Sequence, residues 1–185
     1  MARLVAAFSM SLDGFVAGPG IGTDAPMGHG GEALHDWMST PDEVDGSAME
    51  RHMARVGAVI LGRTTYDVGR AHWSGTPYPA PGFVLTHRPA APDTGFTFLS
   101  GLEEAVGRAR ASAGDRDIVV MGASVGRQCL AAGLVAELSL QIVPVLLGAG
   151  ARLFEPGDVP RHLSMVSARP SRAVIHAIYE PRLTN

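Results

Sequence analysis

Apolar positions fall into short Val-, Ile- and Leu-rich runs, each closed by Gly, Pro or Asp, and short runs so bounded predict strands. They lie at Leu4–Met10, Ala58–Leu61, Gly82–Thr86, Ile118–Met121, Leu138–Leu147, Leu163–Ala168 and Ala173–Tyr179. Helical spacing occupies the intervals. Pro41–Val56 carries Val44, Ala48, Met53 and Val56 on one stripe, with Thr40 as its N-cap. Ser100-Gly101-Leu102-Glu103 has the form of a capping box opening a helix that runs through Ala111. Val125–Ala132 is a third helix, ended by Gly133.

Strand alternating with helix implies an α/β fold: a mainly parallel sheet with helices on both faces. The last two strands are joined only by Arg169-Pro170-Ser171-Arg172, too short for a crossover, so they must pair antiparallel. The expectation is a mixed sheet ending in a C-terminal hairpin, in one domain over residues 1–185. The glycine-rich span Gly14–Gly31 is too long for a plain turn and reads as a lid loop.

Composition narrows the chemistry. All 15 basic residues are arginine, which closes Schiff-base lysine chemistry, Ser-x-x-Lys acylation and the Walker A phosphate loop. A net charge of −3 without a basic block gives nucleic acid no electrostatic footprint. The single cysteine, Cys129, permits neither an internal disulfide nor a cysteine-rich zinc site, and suits a reducing cytoplasm. Leu4–Met10 lacks a small-residue cleavage site, and no run approaches the roughly 18 apolar residues of a membrane span.

Gly122-Ala123-Ser124-Val125-Gly126 has the form G-x-S-x-G, the turn that carries a hydrolase serine. Ser124 would then need an acid and a base from Asp158, His162 or His176, and only about sixty residues follow it. His176, inside AVIHAIY, reads equally as a core or sheet-face histidine. The same turn, with its small side chains and following helix, reads as a phosphate cradle or as plain strand–helix packing. Two further strand ends favour the cradle. Gly62-Arg63-Thr64-Thr65 offers hydroxyls and a guanidinium fork, and Thr86-His87-Arg88 adds a hydroxyl, an imidazole and a second guanidinium. Three such ends suit a dinucleotide lying across the carboxyl edge of a parallel sheet, and paired Arg63 and Arg88 favour the 2′-phosphate of NADPH.

The segments FSMSLDGFVAG, VILGRTTYD, FVLTHRP, VVMGASVGRQCLAAGLVAEL and LQIVPVLLGAGARLF, running from Phe8 to Phe154, resemble the dihydrofolate reductase-like superfamily. The chain is most similar to the reductase domain of bacterial riboflavin biosynthesis and its stand-alone relatives. The resemblance implies the three-layer dihydrofolate reductase-like fold, hydride transfer from NADPH to a small heterocyclic or ribosylamine-like substrate, and a homodimer. It places Gly62, Arg63, Thr64 and Thr65 at the cofactor phosphates and Thr86, His87 and Arg88 at the adenosine 2′-phosphate. Gly122, Ala123, Ser124, Val125 and Gln128 fall by the pyrophosphate and adenine, Ala17 and Gly18 by the nicotinamide. Pro144–Phe154, with Pro144, Leu146, Gly148 and Phe154, falls on the substrate side. Met121 stands where relatives carry a glycine, so a bulky residue is expected to hold a conformation that glycine accepts freely. A nucleotide-binding protein of the same fold without turnover remains an alternative. The His-x-Glu and Pro-Cys-x-x-Cys pair of the fused zinc deaminase is not in the sequence.

Reduction also asks for a proton donor. Asp13, in SLDG, is the first candidate and equally a turn-former. Glu32, His35 and Asp36 follow, though neither carboxylate aligns with the one that serves folate reduction. His29, Glu32 and His35 match no common metal spacing, so no metal is expected. Trp37 and Trp73 offer flat surfaces to a planar substrate, or simply core packing.

Overall fold

In the computed structural model, which describes residues 2–73, 75–89, 95–158 and 161–182, the chain begins with its central strand. β1 (Leu4–Ser11) pairs in parallel with β6 (Asp117–Met121) on one side and β7 (Val135–Val143) on the other. Beyond β6 follow β3 (Val56–Gly62), β4 (Gly82–Leu85) and β5 (Phe96–Leu99), all parallel. Beyond β7 lie β10 (Ile175–Pro181) and β9 (Leu163–Pro170), antiparallel to their neighbours as the short connection requires. The eight strands run β5-β4-β3-β6-β1-β7-β10-β9, and β2 (Phe15–Ala17) forms a separate small ladder with β8 (Ala151–Arg152).

The central strands are apolar throughout because both faces are covered. Leu4, Ala6, Ile60, Ile118, Val120 and Leu138 pack against Ala105, Val106 and Ala109 of α3 (Leu102–Ala113) and Cys129 of α4 (Ala123–Ala131). Val59, Leu61 and Val119, one residue out of phase, meet Tyr66 of α2 (Arg63–Gly69) on the other face. Met49 of α1 (Glu43–Arg55) packs there too, with Val143, Val174, Leu34 and Trp37. The period of two thus divides each strand between two helical layers, giving the three-layer arrangement expected.

Several local expectations are corrected. The N-cap of α1 is Asp42, not Thr40: its carboxylate accepts from Val44 N and Asp45 N, and Asp45 returns the bond to Asp42 N. Ser100 forms no capping box, since α3 starts one residue later, from Gly101, without a side-chain cap. β7 stops at Val143 rather than Leu147, because the Leu147 and Gly148 amides leave the ladder for the Asp13 carboxylate. The elements β2, β5, β8 and α2 span two to seven residues, too few to print a period on the sequence.

Two charged clusters tie layers to the sheet. At the amino edge, Asp117 and Glu137 are buried, and Arg3, directly before β1, and Arg55 of α1 reach them. Arg55 lies 2.5 Å from Asp117 and 3.1 Å from Glu137. Under the sheet, His176 Nε2 meets the Asp45 carboxylate at 2.7 Å, joining β10 to the first turn of α1. His176 is therefore a core residue, edge-on to Trp37.

The amino-edge cluster gives an asymmetric expectation. The carboxylates are buried while each arginine side chain is 42% exposed, so the penalty depends on which partner is removed. Arg55→Ala strands a buried carboxylate and should lower the unfolding free energy by about 2–3 kcal/mol, discounted for the exposed guanidinium. Glu137→Gln leaves arginines that can turn to water and should cost less. Urea unfolding of both variants checks the order; the reverse order contradicts it.

Candidate active site

Register decides the site. Leu61 of β3 pairs with Met121 of β6, and Gly62 with Leu85 of β4, so three parallel strands end side by side. The turns after them open on one cleft of about 960 Å³. Its floor is Ala7, Phe8 and Ser9 of β1, and it runs out to Arg88 and Ser100 at the rim.

The turns after β3 and β6 interlock. Gly122 has φ of +90°, and a Cβ there would lie 2.5 Å from the Thr65 hydroxyl. A Cβ on Gly62 would sit 3.3 Å from Val125. The left-handed backbone falls on Gly122; Met121 stays extended in the ladder beside Leu61 and adds its side chain to the core under α2. The expected strain at Met121 is absent because the turn begins one residue later.

At the rim, Asp67 draws two arginines together. Arg63 Nε donates to its Oδ1 at 2.7 Å, and Arg88 lies 3.1 Å from its Oδ2. Arg63 also donates to the Pro89 carbonyl at 2.9 Å, and the Thr86 hydroxyl accepts from the Arg88 amide at 3.0 Å. Two guanidiniums sharing one carboxylate leave a positive corner with several donors unspent. On the other lip, Arg127 donates to the Arg152 carbonyl at 2.6 Å and to Glu155 at 3.1 Å.

The span 18–31 folds back on itself: Gly18 N donates to Met27 O at 2.8 Å and His29 N to Pro19 O at 2.8 Å. Its Ile21, Pro26 and Met27 wall the inner end of the cleft, with Val16, Ala17 and His35. Burial pushes the His35 pKa below the ordinary 6.5, against the weaker upward pull of Asp36.

Of the cofactor residues expected from sequence, Ala17, Gly62, Arg63, Thr64, Thr65, Thr86, His87, Arg88, Gly122, Ala123, Ser124, Val125 and Gln128 all line this cleft; Gly18 does not. Trp73 lines it, whereas Trp37 is buried behind the floor, its indole donating to Ser9 Oγ at 3.1 Å. Pro144, Leu146, Gly148 and Phe154 lie outside the lining; that segment contributes Ala151 instead, and Glu155 follows directly after it. Glu32 and Asp36 are exposed outside it. Asp13 is also outside, with its carboxylate accepting from Ser11 Oγ at 2.6 Å, Gly148 N at 2.7 Å and Leu147 N at 3.1 Å. The Ser11 bond is the largest of the influences that lower its pKa to about 2.

Asp158, His162 and His176 are likewise not among the residues lining the cleft; among the described residues the Ser124 hydroxyl accepts from Gln128 Nε2 at 3.4 Å. Among the described residues no three His, Cys, Asp or Glu side chains gather as a metal site. Ser9, Met27, Arg127 and Glu155 escaped sequence reasoning, because nothing local marks a strand interior or a distant loop as cleft wall.

The Asp13 geometry sets a pH dependence. A carboxyl whose folded pKa is depressed stabilises the fold above its ordinary value of 3.8, and that contribution is lost as pH falls through about 2. Asp13→Asn should therefore lower the melting temperature at pH 7, with the gap to the parent narrowing between those two values. Thermal unfolding across that range checks it; a constant gap contradicts the role.

The family model described as the RibD C-terminal domain matches residues 2–177. Among solved structures, one described as a riboflavin biosynthesis protein from Shewanella sp. PV-4 has 22% identity and a TM-score of 0.76, covering 99% of this chain and 100% of that one. A dihydrofolate reductase from Enterococcus faecalis, complexed with NADP(H), has 15% identity and a TM-score of 0.65, covering 97% and 96%. A diaminohydroxyphosphoribosylaminopyrimidine deaminase/5-amino-6-(5-phosphoribosylamino)uracil reductase from Thermotoga maritima has 13% identity and a TM-score of 0.67, covering 98% of this chain and 57% of that one. No curated protein matches the chain. With its strand order, its interlocked turns and a family match over nearly its whole length, the chain belongs to the RibD C-terminal domain family.

Proposed function

We propose that this protein is an NADPH-dependent reductase of a small planar heterocycle of the pterin, pyrimidine or ribosylamine type. One observation carries the reading: three parallel strand ends place two arginines, four hydroxyl side chains and a glycine turn around a single cleft. The family is one of riboflavin-pathway reductases, and a neighbour of the same fold is complexed with NADP(H).

The residues present fit such a cofactor. Gly122 keeps the turn bare of side chain, so a pyrophosphate meets backbone N–H groups at the start of α4 together with the Thr65 and Ser124 hydroxyls. Arg63 and Arg88, aimed by Asp67, supply bidentate donors for a 2′-phosphate. Ala17, Val16 and Ala7 give this part of the cleft apolar walls, which suit a nicotinamide ring. When bound, NADPH supplies the hydride. The loop 18–31 covers the inner end, and Asp13 fastens the segment after β7 next to it. Asp13 thereby acts as a positioning residue. A homodimer is part of the proposal through the resemblance.

Two outcomes test this. Arg63→Ala and Arg88→Ala should each weaken NADPH by about 10- to 100-fold, as expected for a lost charge-assisted bond of about 1.5–3 kcal/mol, while leaving NADH nearly unchanged. Quenching of Trp73 fluorescence reports both ligands. Equal losses for NADPH and NADH would remove the 2′-phosphate assignment. Gly122→Ala meets both a left-handed φ and the Thr65 hydroxyl, and should abolish quenching by either nucleotide.

A further inference from the structure

The cleft is lined by guanidiniums and hydroxyls, yet it also holds a carboxylate. Among the described residues that line it, Glu155 is the one acid. A carboxylate facing a cleft that takes an anion opposes its ligand unless a cation neutralises it. That cation is Arg127. Its Nη1 donates to Glu155 Oε1 at 3.1 Å and to the Arg152 carbonyl at 2.6 Å.

The helix α4 explains where Arg127 stands. Ala123, Ser124, Arg127 and Gln128 all line the cleft, and positions i, i+1, i+4 and i+5 form one stripe of a helix. Arg127 is therefore one turn beyond the bare Gly122 turn, on the face that opens into the cleft. Glu155 approaches from the opposite side, after β8. Its segment is held without its carboxylate: Leu153 is fully buried in the core, and Arg127 fastens the Arg152 carbonyl to α4. The turn itself closes through Glu155 N to Asp158 Oδ2 at 2.9 Å and Asp158 N to Glu155 O at 3.1 Å.

The ion pair is easily opened. Its side chains are 31% and 45% exposed, and a pair so accessible to water contributes little to the fold. A guanidinium carries five N–H donors in a fixed fork, so Arg127 can exchange the carboxylate for another anion and keep the Arg152 bond.

We propose that Arg127 is a further binding residue for the diphosphate of the cofactor, and that Glu155 is its displaceable counter-ion. The inference rests on the reductase reading, which puts a dinucleotide in this cleft. In the empty cleft the carboxylate neutralises the guanidinium; in the loaded one the diphosphate takes that place, and part of the binding free energy is lost to the exchange. The diphosphate is common to NADP⁺ and NAD⁺, so Arg127 and Glu155 act on both nucleotides, whereas Arg63 and Arg88 separate them.

The test measures NADP⁺ and NAD⁺ binding to the whole chain by tryptophan quenching at roughly 0.15 M ionic strength, where long-range effects of net charge are screened. Glu155→Gln should tighten both nucleotides about three- to fivefold, as expected for release from an exposed pair. Glu104→Gln makes the same change of charge at the exposed Arg108 pair on α3 and should alter neither. Arg127→Ala should weaken both about tenfold, with Arg127→Lys restoring part. In the Arg127→Ala background Glu155→Gln should have no effect, because its influence passes through the guanidinium. If Arg127→Ala fails to fold, Glu155→Gln and its Glu104→Gln control carry the test alone. A merely structural pair predicts the opposite sign, since losing the carboxylate would loosen the lip and weaken binding. Unchanged or weaker binding by Glu155→Gln, an equal gain from Glu104→Gln, a gain for NADP⁺ alone, or a gain that persists without Arg127 overturns the proposal. Failure of the parent to bind either nucleotide would instead overturn the reductase reading.

Discussion

The backbone register between β3 and β6 is the constraint on which the rest depends. Because Leu61 and Met121 are partners in a parallel ladder, both strands must turn at the same level of the same edge. Their turns then compete for one volume, and the contact between Gly122 and the Thr65 hydroxyl shows how little is left. Glycine at this point removes a side chain and permits the positive φ, so the start of α4 faces the cleft with bare amides. Any slip of the ladder would bring the opposite face of each strand into the wrong core layer, which is why the register is unique.

Charge is arranged along the same axis. At the amino edge two buried carboxylates are matched by Arg3 and Arg55, so that cluster is closed and holds α1, β1, β6 and β7 together. At the carboxyl edge, among the described residues, Arg63 and Arg88 share one carboxylate, Asp67, so the corner keeps positive charge and unspent donors. The chain uses arginine alone for both tasks, as a rigid fork that satisfies a carboxylate and still has donors to offer. The inner end of the cleft is different again: nearly apolar, with one imidazole and one hydroxyl. A single cavity thus has a rim rich in guanidinium donors and a nearly apolar interior.

Loop segments connect the two ends. The Asp13 carboxylate, ionised far below neutral pH, collects amides from the stretch after β7, while Arg152 donates to the Asp13 carbonyl at 2.9 Å and stacks over Phe15. These bonds replace the ladder that β7 abandons at Val143, and they bring Ala151 and Glu155 to the cleft instead of Pro144 or Leu146. The Trp37–Ser9 bond does the same for the segment that carries His35.

Residues that act through their neighbours in sequence were legible from sequence. Apolar runs named the long strands, the four-residue link named the final hairpin, and glycine followed by hydroxyls and arginine named the strand-end turns, because each is a local property of the chain. Tertiary structure decided what depends on distance: that Asp13 clasps amides more than a hundred residues away, that Asp67 gathers Arg63 and Arg88, and that His35 rather than Glu32 or Asp36 faces the cleft. The short elements β2, β5 and β8 also waited for their partners, since two to four residues gain their hydrogen bonds only from strands already in place. Periodicity records which face of an element is buried; it carries no record of which distant group will meet that face.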